Sequence, residues 1–397
     1  MDDKVSAKLY LSDIAIWGFV LLVAYYFLFN FFGRTQFATT FTGALTALRY
    51  IALVLLVLSV LRGLLSDYSA RKFIVCFILS SLVVVGLTMI FHPEITQFSD
   101  TVSTFFSTVL QLALLVYLVD DIEKLIKALR VFSIIAAFLL LYFLFINGIT
   151  YNSGRYSMAL GYVSLVPAMT LYYSFFKKRH LIDIIGAVVI TATIFTFGSR
   201  GPLLCLGIYL ILTMLKNTKP QYMIFAFIIL FVLYLFYNQI LSFIISLFSS
   251  SSTSRTLQYI LSGQISEDSG RYIKYAKVLD ELKKNPLKIR GINSDYLLIG
   301  KYTHNIFLEL LYEFGCVLGG IVCVDLIYRI IITLIHSTDS IETEFCFMFM
   351  CISIPQLLVS HSLWAEWTFW VWFVLYIKFF GHGLVQALIT SIRKRRY

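Results

Sequence analysis

The sequence predicts an all-α polytopic membrane protein with about 12 transmembrane helices and one large outer loop that contains amphipathic helices. Hydrophobic residues make up 59% of the chain and charged residues only 14%, whereas soluble domains carry about 25% charged residues. Apolar runs recur along the chain, and a run of about 20 residues can cross the hydrocarbon core as a helix. These runs do not alternate as the strands of a membrane β-barrel do.

The apolar runs place the spans within a single transmembrane domain, 1–397. The first run is longer than the core of a signal peptide and lacks a small-residue cleavage site, so we expect a retained span. The tenth span is expected to contain a break. The predicted spans are 11–32, 41–61, 73–91, 101–119, 129–148, 157–176, 181–197, 202–215, 221–247, 306–335, 345–361 and 364–380.

The lysines and arginines predict the topology. With the N-terminus inside, five basic clusters fall on the inner side, and the opposite short loops are poor in positive charge. One inner loop, 336–344, has no lysine or arginine. Both termini are therefore expected inside, and segment 249–303, between predicted spans 9 and 10, is expected outside. Long loops translocate whatever their charge.

Segment 249–303 carries nine basic and five acidic residues, a net charge of +4 within the chain total of +10. The remaining positive charge flanks the spans, where it interacts with anionic lipid headgroups. Residues 271–284 predict an amphipathic helix, which can lie on a membrane surface. Asn285-Pro286 ends it. Its predicted apolar stripe is Tyr272, Tyr275, Ala276, Leu279 and Leu282.

Another helix is predicted after this segment, with Thr303 as its N-cap and Gly315 as its break. The six cysteines lie in or beside apolar runs, so we predict no disulfide and no metal site. The sequence also lacks a phosphate-binding P-loop and the nucleophile motif of serine hydrolases. Basic and aromatic residues do not interleave as in a nucleic-acid platform.

Several positions on the predicted outer side combine basic residues with the start of a helix. The turn Gly198-Ser199-Arg200-Gly201-Pro202 joins two apolar runs, and proline suits the first turn of the following helix. Free backbone N–H groups and a guanidinium bind the same anion, so Arg200 is a candidate anion ligand. Arg271, at the start of the amphipathic helix, and Arg155, in the outer loop 151–155, are further candidates. For each arginine the alternative is an interfacial or solvated side chain.

His304 lies at the end of the polar segment, just before the next apolar run begins. Its unperturbed pKa near 6.5 suits a general base near neutral pH, although a lone histidine is more often structural. Among the other histidines, His361 is the main competitor because it lies at the outer end of a predicted span. Glu309 and Glu313 are one helical turn apart, and either orient neighbouring groups or stay solvated.

Three motifs occur in a fixed order: the turn at 198–201, the Ser-Gly-Arg helix start at 269–271, and His304-Asn305 followed by Leu308-Glu309. With many spans and a long outer loop late in the chain, they resemble the O-antigen polymerase (Wzy) / O-antigen ligase superfamily of bacterial inner-membrane enzymes. The motifs cover about 198–320, and only the topology supports the rest of the resemblance.

The resemblance implies a metal-independent, inverting glycosyltransferase without a cofactor. Such an enzyme polymerises polyprenyl-diphosphate-linked oligosaccharide repeat units into O-antigen or a related surface polysaccharide. Arg200, Arg271 and Arg155 would bind the diphosphate. His304 would deprotonate the acceptor hydroxyl, and Asn305 or Glu309 would orient it. Relatives often carry Pro-Asn after the arginine that corresponds to Arg155, and this chain does not, which puts the role of that arginine in question.

The resemblance also implies a multi-pass protein of the bacterial inner membrane, with cytoplasmic termini and a site that faces the periplasm. Its partners would be the lipid-linked donor and acceptor, membrane lipids and a chain-length regulator protein, with no nucleic acid. An O-antigen ligase, which transfers the glycan to the lipid A core, is the alternative enzyme. A transporter of lipid-linked oligosaccharides is the alternative of another class, and charged residues and paired broken helices within the spans would mark it. A non-enzymatic scaffold is a third reading.

Overall fold

A computed structural model confirms an all-helical fold for the part of the chain that it describes, residues 2–33, 39–91, 98–146, 157–197, 199–217 and 271–394. Within these ranges no β-strand occurs, and eight helices are long and apolar enough to cross a membrane. Two shorter apolar helices accompany them. The chain is therefore a polytopic α-helical membrane protein. Predicted span 221–247, Arg155 and Gly198 lie outside the described residues.

The helices follow the predicted spans in order, and a π-helical turn, Phe105–Val109, joins α4 to α5 within the fourth span. Helices α7 and α8 together form the candidate span Met158–Lys178, and α11 and α12 are short helices that are not counted among the spans. The bounds are α1 Asp2–Phe32, α2 Thr42–Ser66, α3 Tyr68–Phe91, α4 Phe98–Thr104, α5 Leu110–Leu118, α6 Ile122–Ile146, α7 Met158–Val163, α8 Leu165–Lys178, α9 Leu181–Thr196, α10 Arg200–Asn217, α11 Arg271–Lys284, α12 Ser294–Ile299, α13 Ile306–Ile335, α14 Ile341–Val359 and α15 Trp367–Lys394.

The first of two compact units comprises Met1–Tyr25, Thr42–Ala128 and Asp268–Tyr397. Its core forms where α15 packs against α14 and α5. Large rings fill this core, such as the fully buried Trp372 and Phe349. By contrast, α3 exposes large apolar side chains such as Leu82. Exposed apolar surface around a buried core is what a lipid solvent permits and water does not.

Helix α13 folds back on itself at Gly315, so the predicted break is confirmed. Gly315 has φ 75° and ψ 165°, outside the helical region. In a straight helix Phe307 and Cys323 would lie about 24 Å apart, yet the Cys323 thiol lies 3.8 Å from the Phe307 carbonyl oxygen. The first arm, 306–314, therefore lies against the second arm, 316–335. At about 30 Å, the second arm alone is long enough to cross the hydrocarbon core.

Arg290 fixes the reversal from the side of the preceding loop. Its buried guanidinium donates to four carbonyl oxygens, and it lies 4.6 Å from the centre of the Tyr312 ring. The four acceptors are Glu281, Asn285, Lys288 and Tyr312. Its backbone N–H donates to the Glu313 carbonyl over 2.8 Å. One arginine therefore joins the end of α11 to the end of the first arm, where unpaired helix carbonyls need donors.

The amphipathic helix is confirmed as α11, and its predicted apolar stripe is divided between two sides of the helix. Val278 and Leu282 are buried, whereas Tyr272 and Leu279 are exposed. Lys274, predicted to face away, is half-buried instead. Val278, which the predicted stripe left out, is buried with Leu282 against Tyr312 on the first arm of α13, and this contact sets which side of α11 faces the protein.

The second unit comprises Tyr26–Phe41 and Leu129–Glu267. Its described part contains α8 packed on α9, with α10 against α7, α8 and α9. The buried Asp183 carboxylate accepts from Arg130 Nε over 2.8 Å. Helix α10 begins at Arg200, and Pro202 lies in its first turn as predicted. The start of α10 is held against α7, since a β-carbon at Gly161 would lie 2.9 Å from Pro202 Cγ.

Gly315→Ala is expected to destabilise the first unit. At this φ and ψ only glycine is unstrained, and the strain costs about 1–3 kcal/mol. The new β-carbon would also lie 3.0 Å from the Leu287 carbonyl oxygen. We expect a lower melting temperature by tryptophan fluorescence in detergent micelles.

Gly320→Ala, in the second arm, is the matched control. Its β-carbon would meet nothing within 4 Å, and alanine favours a helix by about 1 kcal/mol over glycine. Its melting temperature should equal or exceed that of the wild type. Equal melting temperatures for Gly315→Ala and the wild type would contradict the fold-back of α13.

Candidate functional site

His304 lies directly before the first arm of α13, in a left-handed conformation with φ 59°. The N-cap of this helix is Asn305, whose side-chain oxygen accepts from Phe307 N at 3.0 Å and Leu308 N at 3.2 Å. The prediction of Thr303 as N-cap is wrong because Thr303 hydrogen-bonds to Asp295 instead. Its backbone N–H and its hydroxyl both donate to Asp295 Oδ2 over 2.7 Å. The cap and this anchor set the turn that presents His304.

Cations surround the His304 ring. Its pKa is lowered to about 4, first by burial and then by Lys274, Arg271 and Lys301, which repel a positive imidazole. Within the described residues, His304 Nδ1 is buried without a hydrogen-bond partner. The ring is therefore neutral near pH 7 and able to accept a proton. It has the protonation state of a general base but less basicity than one tuned to neutral pH.

Helix α11 supplies two of these cations. Arg271 and Lys274 are one turn apart on its half-buried side, one turn before the buried Val278. Tyr275, on the same side, donates its hydroxyl to the His304 carbonyl over 3.2 Å. Because Val278 and Leu282 fix the rotation of α11, its basic first turns face the histidine rather than water.

Glu309 and Glu313 are buried, which excludes the reading that they stay solvated. Glu309 accepts from the Ser362 hydroxyl at 2.5 Å and from Leu363 N at 3.1 Å. Glu313 accepts from Asn293 N at 2.6 Å and from Trp364 Nε1 at 2.8 Å. Both carboxylates hold the first arm of α13 to the loops around it. These bonds make Glu309 an anchor of the arm that begins beside His304.

Asp295 is the third buried carboxyl group near this arm. Burial raises its pKa to about 6, against the opposing effect of its hydrogen bonds from Thr303. Burial also raises the pKa of Tyr296 to about 12. Despite this cluster, no group of three His, Cys, Asp or Glu residues is arranged to hold a metal ion in the described part of the chain.

His361, the predicted competitor, belongs to the same cluster of rings. The Tyr302 ring lies near both histidines, with its centroid 4.2 Å from that of the His304 ring and 6.2 Å from that of the His361 ring. His361 Nδ1 lies 3.7 Å from the carboxylate of the buried Glu366. Thr368 fixes that carboxylate by donating its backbone N–H at 3.1 Å and its hydroxyl at 2.6 Å. No sequence signal marks Tyr302 or Glu366, because neither lies in a motif.

The structure brings together some of the predicted site residues and not others. The first unit brings together His304, Arg271, Asn305 and Glu309 around the start of the first arm of α13. Arg200 is exposed at the first residue of α10, in the second unit, and stays a predicted ligand. Lys274 and Lys301 join the cluster although the sequence analysis did not single them out.

No known protein family, curated protein or solved structure matches this chain. Function is therefore inferred from the residues of the site. The described site combines fixed positive charge from Arg271 and Lys274 with one neutral imidazole. Such a site can bind an anion and accept a proton beside it.

Lys274→Gln is expected to raise the pKa of His304 above 4, because it removes the strongest of the charges that repel the protonated ring. The measurement is an NMR pH titration of protein carrying isotope-labelled histidine, with the signal assigned through His304→Asn.

Lys277→Gln is the matched control, since it removes the same charge from the exposed side of the same helix. It should leave the His304 titration unchanged. Equal shifts in both variants would show that the inward placement of Lys274 has no electrostatic effect on His304.

Proposed function

We propose that this protein is a membrane glycosyltransferase that polymerises polyprenyl-diphosphate-linked oligosaccharide repeat units into O-antigen or a related surface polysaccharide. One observation supports this most. A polytopic membrane protein places a neutral histidine among inward-facing cations at the start of a folded-back helix. Such a site fits a reaction in which an anionic, lipid-linked leaving group departs while a hydroxyl loses its proton.

The cations suit the donor. When the acceptor oxygen attacks the anomeric carbon, the bond from that carbon to the diphosphate oxygen breaks, and negative charge grows on the diphosphate. Arg271 binds and stabilises that charge, and Arg200 and Arg155 are the predicted additional ligands. Arginine matches phosphate geometry in a bidentate manner, which a lysine does not. Neither a metal nor a cofactor is part of the proposal.

His304 takes the proton of the acceptor hydroxyl. Its lowered pKa keeps it neutral throughout the neutral range, so the base is always in its active form. Asn305 and Glu309 act on it indirectly, by fixing the start and the position of the first arm of α13. The diphosphate is a good leaving group, so the reaction needs no general acid on the donor side.

The finer topology belongs to the same proposal. Twelve spans, cytoplasmic termini and a periplasmic segment 249–303 would place the site on the outer face of the bacterial inner membrane. There the substrates arrive as lipid-linked oligosaccharides, and a chain-length regulator protein is a candidate partner. A ligase would use the same donor chemistry and differ in its acceptor, the lipid A core.

The charges within the spans favour an enzyme over a transporter. Arg130 pairs with the buried Asp183. Arg329 Nε lies 2.6 Å from Asp325, and Lys378 donates to the Tyr117 carbonyl over 2.7 Å. Each of these charged side chains has a local partner, which is typical of a structural role. Charges that serve a transport pathway line cavities or pair along a path.

The test is incubation of purified protein with a lipid-diphosphate-linked repeat unit and no other acceptor, with products resolved by glycan length. We expect a ladder from the wild type and none from His304→Ala, whose melting temperature should match the wild type. His361→Ala is the matched comparison and should retain a ladder. A ladder from His304→Ala would remove the mechanism, and transfer only after addition of lipid A core would identify a ligase.

The arginines and the pH profile give a second prediction. Arg271→Gln and Arg200→Gln should each lower kcat/KM by about 100-fold, as loss of one charge-stabilising donor does. The acid limb of kcat/KM should lie near pH 4, because activity needs neutral His304 and is lost as pH falls through its pKa. An acid limb near pH 6.5 that stays in His304→Asn would exclude His304 as the base.

A further inference from the structure

Helix α11 has three sides, and only one of them faces protein. With about 100° between successive residues, the buried Val278 and Leu282 mark the protein side. Ala276 and Leu279 are exposed, and they lie about 60° apart on a second side. The sequence prediction joined these two sides into one apolar stripe. The structure separates them, so an apolar strip is left without protein cover in the described part of the chain.

The loop after α11 extends this apolar strip. Leu287 and Ile289 are 70% and 51% exposed. Pro286 accepts from Cys316 N over 2.7 Å, so this loop lies where the second arm of α13 begins. That arm exposes Val317 and has the apolar composition of a lipid-facing surface. The strip is therefore continuous with the surface that faces hydrocarbon.

The third side carries Lys277 and Lys284 together with Ile273 and Asp280, all of them exposed. Lys283 ends the strip on α11, and Lys288 lies between Leu287 and Ile289 in the loop. Apolar residues bordered by lysines fit the boundary between acyl chains and anionic headgroups, where the stems lie on apolar surface and the ammonium groups reach phosphate. A protein partner would have to cover this apolar strip and still leave the neighbouring second arm of α13 in contact with lipid.

We propose that α11 and residues 287–289 lie in the headgroup layer of the protein's own bilayer, with Ala276, Leu279, Leu287 and Ile289 in contact with lipid. The surface binds lipid rather than a protein, and anionic headgroups strengthen the contact through the flanking lysines. This contact with lipid would fix the depth of α11 in the membrane. Arg271 and Lys274, on the protein side of the same helix, stand at the level of lipid phosphates. This inference is independent of the proposed reaction.

The test is site-directed spin labelling of the full chain in lipid nanodiscs, in a background with Cys76→Ala and Cys316→Ala, since these two cysteines are exposed. A nitroxide is placed at Leu279→Cys or Leu287→Cys, and at Lys277→Cys as the matched control. Collision rates with oxygen, which concentrates in lipid, and with a nickel chelate, which stays in water, are measured with and without phosphatidylglycerol. Melting temperatures confirm that the labelled chains fold.

We expect labels at 279 and 287 to collide with oxygen and to be protected from nickel, and the label at 277 to show the reverse. Phosphatidylglycerol should increase the protection at 279 and 287. Equal nickel accessibility at 277 and 279 would place the strip in water and overturn the proposal. Protection from both reagents at 279 would mean that a second copy or another protein covers the strip, which overturns it equally.

Discussion

The reversal of α13 at Gly315 is the constraint on which the first unit depends. A glycine conformation that other residues rarely adopt turns the chain, and it lets the first arm lie beside the start of a membrane-crossing helix. The arm brings its own polar groups with it, and each is satisfied locally: Glu309 by Ser362 and Glu313 by Asn293 and Trp364. Buried carboxyl groups without such donors would destabilise the arm. The polar anchors therefore make the reversal possible at the edge of a membrane.

The position of His304 follows from this reversal. The residue precedes the N-cap of an arm that is held at both ends, by Asn305 at its start and by Arg290 at its end. Helix α11 packs on the same arm through Val278, and this contact turns its basic side towards the histidine. Charge and imidazole thus meet because of apolar packing. The electrostatic cost of grouping cations around a histidine is met by keeping that histidine neutral.

Most of the fold could be predicted from the sequence, because length and apolarity alone mark a membrane helix. The break at Gly315 and the helix at 271–284 were also predictable from glycine, proline and periodicity. The orientation of that helix was not. Its sequence contains two apolar faces, and only the partner surface on α13 decides that Val278 and not Leu279 is buried. Where two faces compete, tertiary packing decides.

The residues of the site were also predictable only in part. His304 stood out because the polar segment ends on it, and Arg271 because it starts the amphipathic helix and belongs to the ordered set of motifs. Lys274 did not, since its inward position depends on the rotation of α11. Tyr302 and Glu366 belong to the site only through contacts across the fold. Thr303 was mistaken for a cap because its hydroxyl has the right chemistry, and its true acceptor, Asp295, lies eight residues earlier.

The central claim is that the inward side of α11 binds a lipid diphosphate beside His304. The most direct measurement is the affinity of the nanodisc-embedded protein for a polyprenyl diphosphate that carries no sugar. Two charge-matched double variants decide it: Arg271→Gln with Lys274→Gln on the inward side, and Lys277→Gln with Lys284→Gln on the outward side. The account predicts at least about a tenfold loss of affinity, or about 1.4 kcal/mol, for the inward pair and little change for the outward pair. Equal losses would mean that the lipid responds only to net charge, and the proposed site would be wrong.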